Sequence, residues 1–172
     1  MNVLSQTTGY AIEALACLAA SSSKSMMVRE IAAETGIAQA YLAKVVQRLV
    51  VAGVVDSKRG YRGGISLSRS PDDITIKEID DAVEINRPPD RCLLGMTHCS
   101  EERACPAHDY WKKTRESVRR RLTTLTLADI VEFEARRNSG KKEPSPLLPM
   151  LRTVQSGAAS AKATRSLKCR SK

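Results

Sequence analysis

The segment "VREIAAETGIAQAYLAKVVQRLVVAGVV", residues 28–55, constrains the fold more than any other part of the chain. Its first half places a small residue, Ala32, four positions before Gly36. Its second half carries an apolar stripe with helical spacing: Leu42, Val45, Val46 and Leu49. A helix-turn-helix needs a small residue where the helices cross, a glycine at the turn and apolar anchors beneath the second helix. An ordinary pair of packed helices uses similar residues, so both interpretations stay open here.

The stretch that follows, "GVVDSKRGYRGGISLS", separates the two interpretations. Two β-prone arms, residues 54–55 and 65–67, enclose a loop with Lys58, Arg59 and Arg62 among glycines. Glycines let a backbone approach DNA closely, and arginine favours the strong negative potential of the minor groove. We therefore predict a winged helix, although a solvated hairpin is the simpler alternative.

Basic residues are concentrated where this motif lies. The chain has a formal charge of +9, but residues 138–172 hold eight Lys and Arg against one acid. Residues 24–70 hold eight basic residues against three acids, which makes them a local basic patch. Such a patch indicates a polyanionic partner, which we predict to be a double-stranded DNA operator. The predicted DNA contacts are Gln39, Tyr41, Lys44 and Arg48 on the second helix, and Lys58, Arg59 and Arg62 in the wing.

The apolar content argues against a membrane protein. No apolar run approaches the length of a membrane span, and no basic segment precedes an apolar one at the N-terminus. We therefore expect a cytoplasmic protein with no membrane partner. In a reducing compartment, clustered thiols more often bind metal or take part in redox chemistry than form structural disulfides.

The remaining helices follow from caps and periodicity. Thr7 or Thr8 is predicted to cap a first helix, and Thr75 forms a capping box with Glu78 at the start of a helix through Val83. A longer helix is expected from residue 106 to about 125, and Thr126 is expected to cap a last short one. The predicted fold class is mainly α with a small β-hairpin wing, a winged helix-turn-helix head and a long dimerisation helix.

We expect four regions along the chain: a DNA-binding head at 1–86, a cluster-binding loop at 87–105, a dimerisation helix with the last short helix at 106–137, and a basic disordered tail at 138–172. A half-apolar helix of this length needs a partner, and helix-turn-helix proteins usually bind two-fold sites as dimers. A homodimer is therefore expected. The alternative is that the long helix packs only against its own domain.

Three of the five cysteines lie in one short segment. Cys92, Cys99 and Cys105 are separated by six and five residues, and His108 follows. Pro106 is favoured at the first position of a helix, so we expect Cys105 to be the N-cap and its thiol to converge with the His108 imidazole. Zinc sites prefer gaps of two to four residues, whereas these gaps suit a larger object such as an iron–sulfur cluster.

Other roles for these residues stay possible. His98 is a rival donor that we expect to point elsewhere, while Cys17 is expected in the core and Cys169 in the tail. A zinc site, or no metal at all, would leave a plain winged-helix repressor. A catalytic thiol is disfavoured because no acid or second base is placed to orient a cysteine–histidine pair. We therefore do not expect an enzyme.

Taken together, the sequence resembles the IscR/NsrR/RirA family of bacterial iron–sulfur transcription regulators over residues 1 to about 137. The resemblance lies in "GYAIEAL", the helix-turn-helix, the wing "SKRGYRGGISLS", the three cysteines and "TLADIVE". It implies a dimeric regulator, expected to act as a repressor, whose DNA binding depends on cluster loading, loss or damage.

The same resemblance implies a ligand set. Cys92, Cys99 and Cys105 match the cluster cysteines, and His108 matches the histidine ligand of the IscR type, which binds a 2Fe-2S cluster. The NO-sensing type takes an acidic ligand where this chain has Gly9. Because the first cysteine gap is one residue longer than in the IscR pattern, a 4Fe-4S cluster stays an alternative. The sensed signal is left open among iron, redox state and NO.

Overall fold

The structure is a computed structural model, which describes residues 4–23, 25–58, 60, 63–85, 92–94 and 99–138. Over these residues the chain forms six α-helices and one antiparallel pair of strands. The helices are α1 (Gln6–Ala20), α2 (Val28–Thr35), α3 (Gln39–Val51), α4 (Ile76–Val83), α5 (His108–Thr124) and α6 (Leu127–Asn138). The strands are β1 (Val55–Lys58) and β2 (Gly64–Leu67), and single 3-10 turns lie at Pro71–Asp73 and Glu101–Arg103. The mainly α fold with a small hairpin is as the sequence predicts.

The helix-turn-helix forms where expected. Gly36 ends α2 in the left-handed region, with φ of 73°, and its N–H donates to the Ala32 carbonyl at 2.9 Å. Only glycine adopts this conformation without steric cost, so it sets the angle between α2 and α3. The four predicted anchors of α3 are all buried: Leu42, Val45, Val46 and Leu49.

The wing is a short hairpin whose strands pair from Val55 with Leu67 to Lys58 with Gly64. A third piece of backbone joins it, because Met26 exchanges two hydrogen bonds with Ile65, at 3.0 and 2.8 Å. Gly64 allows this close approach, since a Cβ there would lie 2.8 Å from the Met26 carbonyl oxygen. The hairpin is therefore fastened to the segment that leads into α2.

One hydrophobic core holds the described helices together. Its largest fully buried side chains come from α1 to α4 and from the start of α6: Leu15, Ile31, Leu42, Leu49, Ile76, Ile79, Val83 and Leu127 among them. The chain divides into two compact units, 1–133 and 134–172, and this core lies in the first. Of the second unit, only the last residues of α6 are described. Among the described residues, no helix combines the length and the apolar character needed to cross a membrane.

The first helix starts earlier than predicted. Ser5, rather than Thr7 or Thr8, is its N-cap, because the Ser5 hydroxyl accepts the Thr8 N–H at 3.0 Å. Thr8 lies fully buried inside the helix and donates its hydroxyl to the Asp80 carboxylate of α4 at 2.7 Å. The Thr8 hydroxyl therefore makes a tertiary hydrogen bond to Asp80, although local propensity alone would make Thr8 a helix cap.

The start of α4 is joined to the turn between α5 and α6. Thr75 and Glu78 form the predicted capping box. Beside it, the Ile76 N–H donates to the Leu125 carbonyl at 2.9 Å, and the Leu127 N–H donates to the Ile74 carbonyl at 2.8 Å. This backbone pairing fixes the end of the long helix against the head.

We expect Gly64→Ala to destabilise the protein by about 1–3 kcal/mol, because the added methyl group meets a backbone oxygen that cannot move away cheaply. Urea unfolding of the metal-free protein measures the change. Gly9→Ala is the matched control, since a Cβ at Gly9 meets nothing within 4 Å and the residue lies within α1. It should be neutral or stabilising by up to about 1 kcal/mol. A Gly64→Ala protein as stable as wild type would contradict the close approach.

Candidate functional site

The exposed face of α3 is the first candidate site. Gln39 opens the helix and Lys44 lies five residues later, and both side chains are exposed. Gln47 is exposed three residues after Lys44, on the same side of the helix. Gln47 is not among the contacts predicted from the sequence, although its spacing from Lys44 is a signal that points to it. Together these side chains give α3 a polar, cationic outer surface.

Tyr41 has partners within the protein. Its hydroxyl lies 2.8 Å from the Thr7 hydroxyl of α1, and its ring meets Tyr10 edge-on with centroids 5.4 Å apart. The side chain is 39% exposed, so one surface of the ring faces solvent. Tyr41 therefore holds the start of α3 against α1.

Arg48 also has a partner within the protein. Its Nη1 donates to the backbone carbonyl of Val83, the last residue of α4, at 2.6 Å. A guanidinium has five N–H donors, so this bond uses one of them. The prediction of Arg48 as a DNA contact rests on its charge, and a contact between residues 35 positions apart leaves no local signal in the sequence.

In the wing, the structure describes Lys58 but not the two arginines. Lys58 is exposed at the end of β1. Gly60, with φ of 98°, accepts the Gly63 N–H at 2.8 Å and so closes the hairpin. Arg59 and Arg62 lie outside the described residues, and their role as DNA contacts stays a prediction.

The cysteine segment is the second candidate site. Cys92 and His108 are buried, each 7% exposed, while Cys99 and Cys105 are half-buried. The side chain that meets the His108 ring is that of Cys99, whose Sγ lies 3.4 Å from Nδ1. The structure therefore brings together a thiol and an imidazole that lie nine positions apart in the sequence.

The long helix begins later than predicted, and Cys105 is not its N-cap. Ala107 is the cap and His108 is the first residue of α5, with the His108 N–H donating to the Cys105 carbonyl at 2.9 Å. Pro106 and Ala107 form a turn ahead of the helix. The expectation that Cys105 caps the helix is therefore wrong. The turn presents the Cys105 carbonyl, rather than its thiol, to the first helical N–H.

The thiols influence one another electrostatically. Burial raises the pKa of Cys99, and the neighbouring Cys92 and Cys105 thiols raise it further, while the Arg115 guanidinium of α5 lowers it. Cys17, in contrast, packs against the core from α1, and burial raises its pKa. Cys92, Cys99, Cys105 and Arg115 thus share one neighbourhood, whereas His98 and Cys169 lie outside the described residues.

The His108 ring leaves one of its nitrogens over. Its Nε2 is buried and, among the described residues, has no hydrogen-bond partner. An unpaired buried nitrogen costs free energy, so such an atom points to a missing ligand or partner. Within the described residues, no three His, Cys, Asp or Glu side chains lie close enough together to hold a single metal ion. Three thiols and an imidazole are nonetheless the residue types that hold an iron–sulfur cluster, which is larger than a single ion.

Residues 4–133 match the Rrf2 family, described as iron-dependent transcriptional regulators. A putative HTH-type transcriptional regulator of Aquifex aeolicus is 35% identical over 134 residues, which cover 77% of this chain and 93% of that protein. The HTH-type transcriptional regulator IscR of Sodalis glossinidius is 31% identical over 126 residues, which cover 73% and 76%.

A solved structure has the same fold. CymR, described as the global cysteine regulator of B. subtilis, is 27% identical with a TM-score of 0.64, over 77% of this chain and 98% of that one. This likeness confirms the predicted winged-helix fold class.

In the reduced, metal-free protein, we expect Cys99 to react slowly with iodoacetamide near neutral pH and faster as the pH rises, because the thiolate is the nucleophile. Arg115→Met should slow the reaction severalfold at a given pH, since the cation that lowers the pKa of Cys99 is removed. Mass spectrometry of the Cys99 peptide across a pH series measures the rate. Arg119→Met, exposed one turn later on α5, is the control and should react like wild type. Equal rates in all three proteins would contradict the placement of Arg115.

Proposed function

The chain belongs to the Rrf2 family of transcriptional regulators, and on that premise we propose that its affinity for an operator is controlled by an iron–sulfur cluster. The family consists of regulators rather than enzymes, which confirms the expectation that the protein is not an enzyme. The proposed ligands are the side chains of Cys92, Cys99, Cys105 and His108. Bound there, the cluster would supply a cross-link that responds to iron, redox state or NO.

The observation that carries this proposal is the unpaired Nε2 of buried His108. Its ring meets the Cys99 thiol on the Nδ1 side, and the Cys92 and Cys105 thiols affect the same sulfur. Three thiols near a buried imidazole whose Nε2 is unpaired among the described residues form the kind of donor set that an inorganic ligand would satisfy. The resemblance to the IscR type favours 2Fe-2S, with 4Fe-4S as the alternative.

The ligands connect two parts of the chain. Cys92 and Cys99 precede the long helix, and His108 is its first residue. Holding a common ligand, these residues would fix the cysteine segment to the start of α5. Without that ligand, the cysteine segment would be held to α5 by the Cys99–His108 contact and the packing around it. Any change in α5 would then reach the heads through the backbone pairing at the start of α4.

The proposed DNA contacts on the described surface are Gln39, Tyr41 and Lys44 of α3 and Lys58 of the wing, which are exposed. Arg59 and Arg62 of the wing, outside the described residues, complete the proposed set.

We further propose a homodimer formed through α5. His108 is the buried residue of that helix, while Tyr110 is 70% exposed and Trp111 and Val118 are half-exposed. Aromatic and aliphatic side chains at this spacing would be covered by a second copy. The regions 1–86, 87–105, 106–137 and 138–172 stay the proposed division into head, loop, dimerisation part and tail.

A second candidate is a regulator of the same fold without a cluster, holding zinc or no metal. The likeness to CymR, described as a global cysteine regulator, favours it. In that case the thiols would respond to a different signal while the DNA-binding head stays the same.

Anaerobic reconstitution with ferrous iron and sulfide should give a coloured protein, and Cys92→Ala, Cys99→Ala or Cys105→Ala should abolish the visible absorption. His108→Ala should alter the spectrum or speed cluster loss. Cys17→Ala is the control, since Cys17 lies in α1 away from the donor set, and it should reconstitute like wild type. A protein that stays colourless, with or without zinc found by elemental analysis, would favour the second candidate.

Arg59→Ala should weaken binding to a duplex that the wild-type protein enriches from a random-sequence pool, by about tenfold if it removes a base or phosphate contact. Fluorescence anisotropy measures the Kd, and sedimentation checks that the oligomeric state is unchanged. Lys113→Ala, an exposed lysine on α5, is the matched loss of charge and should have little effect. Equal weakening by both variants would contradict a specific role for the wing.

A further inference from the structure

Arg48 links the recognition helix α3 to the end of α4. Its Nη1 donates to the Val83 carbonyl at 2.6 Å. The last carbonyls of a helix have no partner within the helix, and the helix dipole is negative there. A cationic donor on such a carbonyl is among the stronger hydrogen bonds a surface arginine makes. The Arg48 side chain is thereby held toward α4.

The end of α4 leads directly to the cysteine segment. Cys92 follows Val83 by nine positions, and it is buried beside Cys99. The residue after Val83 is also anchored to the head, because Glu84 accepts a hydrogen bond from Ser5, the N-cap of α1. Residues 86–91 lie outside the described residues, and the described connection from the cysteine segment to α4 runs through α5.

The other end of α4 is joined to the long helix. Ile74 and Ile76 exchange backbone hydrogen bonds with Leu127 and Leu125 at the turn after α5. The cysteine segment thus lies between α4 and α5 in the sequence, and the turn after α5 is joined back to the start of α4 by this backbone pairing. Among the described residues, the Arg48 side chain gives α3 a direct hydrogen bond to the backbone of α4.

We propose that Arg48 is a positioning residue that couples the cysteine segment to the recognition helix. This inference rests on the proposed function, since it concerns the same donor set. It gives Arg48 a different role from the DNA contact predicted from its charge. The state of the cysteine segment sets the position of the Val83 carbonyl, and Arg48 transfers that position to the C-terminal half of α3.

The test compares Arg48→Met with Lys44→Met, two equal losses of charge one turn apart on α3. For each full-length protein, the Kd for the enriched duplex is measured with and without iron and sulfide loading, over a series of salt concentrations. Wild type should show a loading effect of about fivefold or more, in either direction. In Arg48→Met this ratio should fall to about one, with the salt slope unchanged. In Lys44→Met both Kd values should weaken together, with the slope reduced by about 0.9 for one lost phosphate contact.

Two further variants keep the test decisive if Arg48→Met folds poorly by circular dichroism. Arg48→Gln keeps a polar side chain too short to reach Val83 and should also lose the ratio. Arg48→Lys keeps a cationic donor and should restore part of it. Hydrogen exchange adds an independent measure, since loading should change exchange in peptides of α3 in wild type but not in Arg48→Met.

The outcomes distinguish this inference from the proposed function. A wild-type protein whose Kd does not change on loading overturns both. If wild type responds and Arg48→Met responds equally, the coupling is overturned and the proposed function stands. If Arg48→Met keeps the ratio but loses salt slope as Lys44→Met does, Arg48 is a phosphate contact and the coupling is wrong.

Discussion

The fold depends on the burial and anchoring of α4. This two-turn helix buries Ile76, Ile79 and Val83 in the core, and helices of this length are not stable in isolation. Its start is closed by a capping box and by backbone pairing to the turn after α5. At its other end lies the Arg48 bond, and in its middle Asp80 accepts the buried Thr8 hydroxyl. Because α1, α3 and α5 all meet α4, the relative placement of head and long helix is decided there.

Local patterns made much of this fold predictable. The helix-turn-helix follows from apolar spacing and one glycine, and the capping box at Thr75 follows from residues three positions apart. Contacts between residues far apart in the chain could not be predicted from such local patterns. Ser5, Thr7 and Thr8 have similar capping propensity, and the choice among them depends on Asp80, 72 positions beyond Thr8. For the same reason the bond from Arg48 to Val83 had no sequence signal.

The candidate site divides in the same way. The residue types and spacing of the four donors were visible in the sequence, but the pairing of His108 with Cys99 was not. Pro106 favours a helix start, yet the turn at Pro106 and Ala107 delays α5 to His108. The donors lie where burial and neighbouring thiols both oppose the charged form of Cys99. Such a site is unfavourable for thiolates alone, and a cationic inorganic partner would reverse that balance.

The distribution of charge gives a reason for Arg48 to face α4 rather than phosphate. Residues 71–85 carry six acids against one lysine, whereas residues 24–70 carry an excess of five basic residues. Phosphates repel acidic side chains within about one Debye length, roughly 8–10 Å, so the α4 side of the head is poorly suited to face DNA. Lys44 lies one turn before Arg48 on α3, nearer the start of that helix, and the Arg48 guanidinium contacts the end of α4. Arg48 therefore lies between the surface that suits DNA and the helix that precedes the cysteines. A change in the position of α4 would reach α3 directly through this residue.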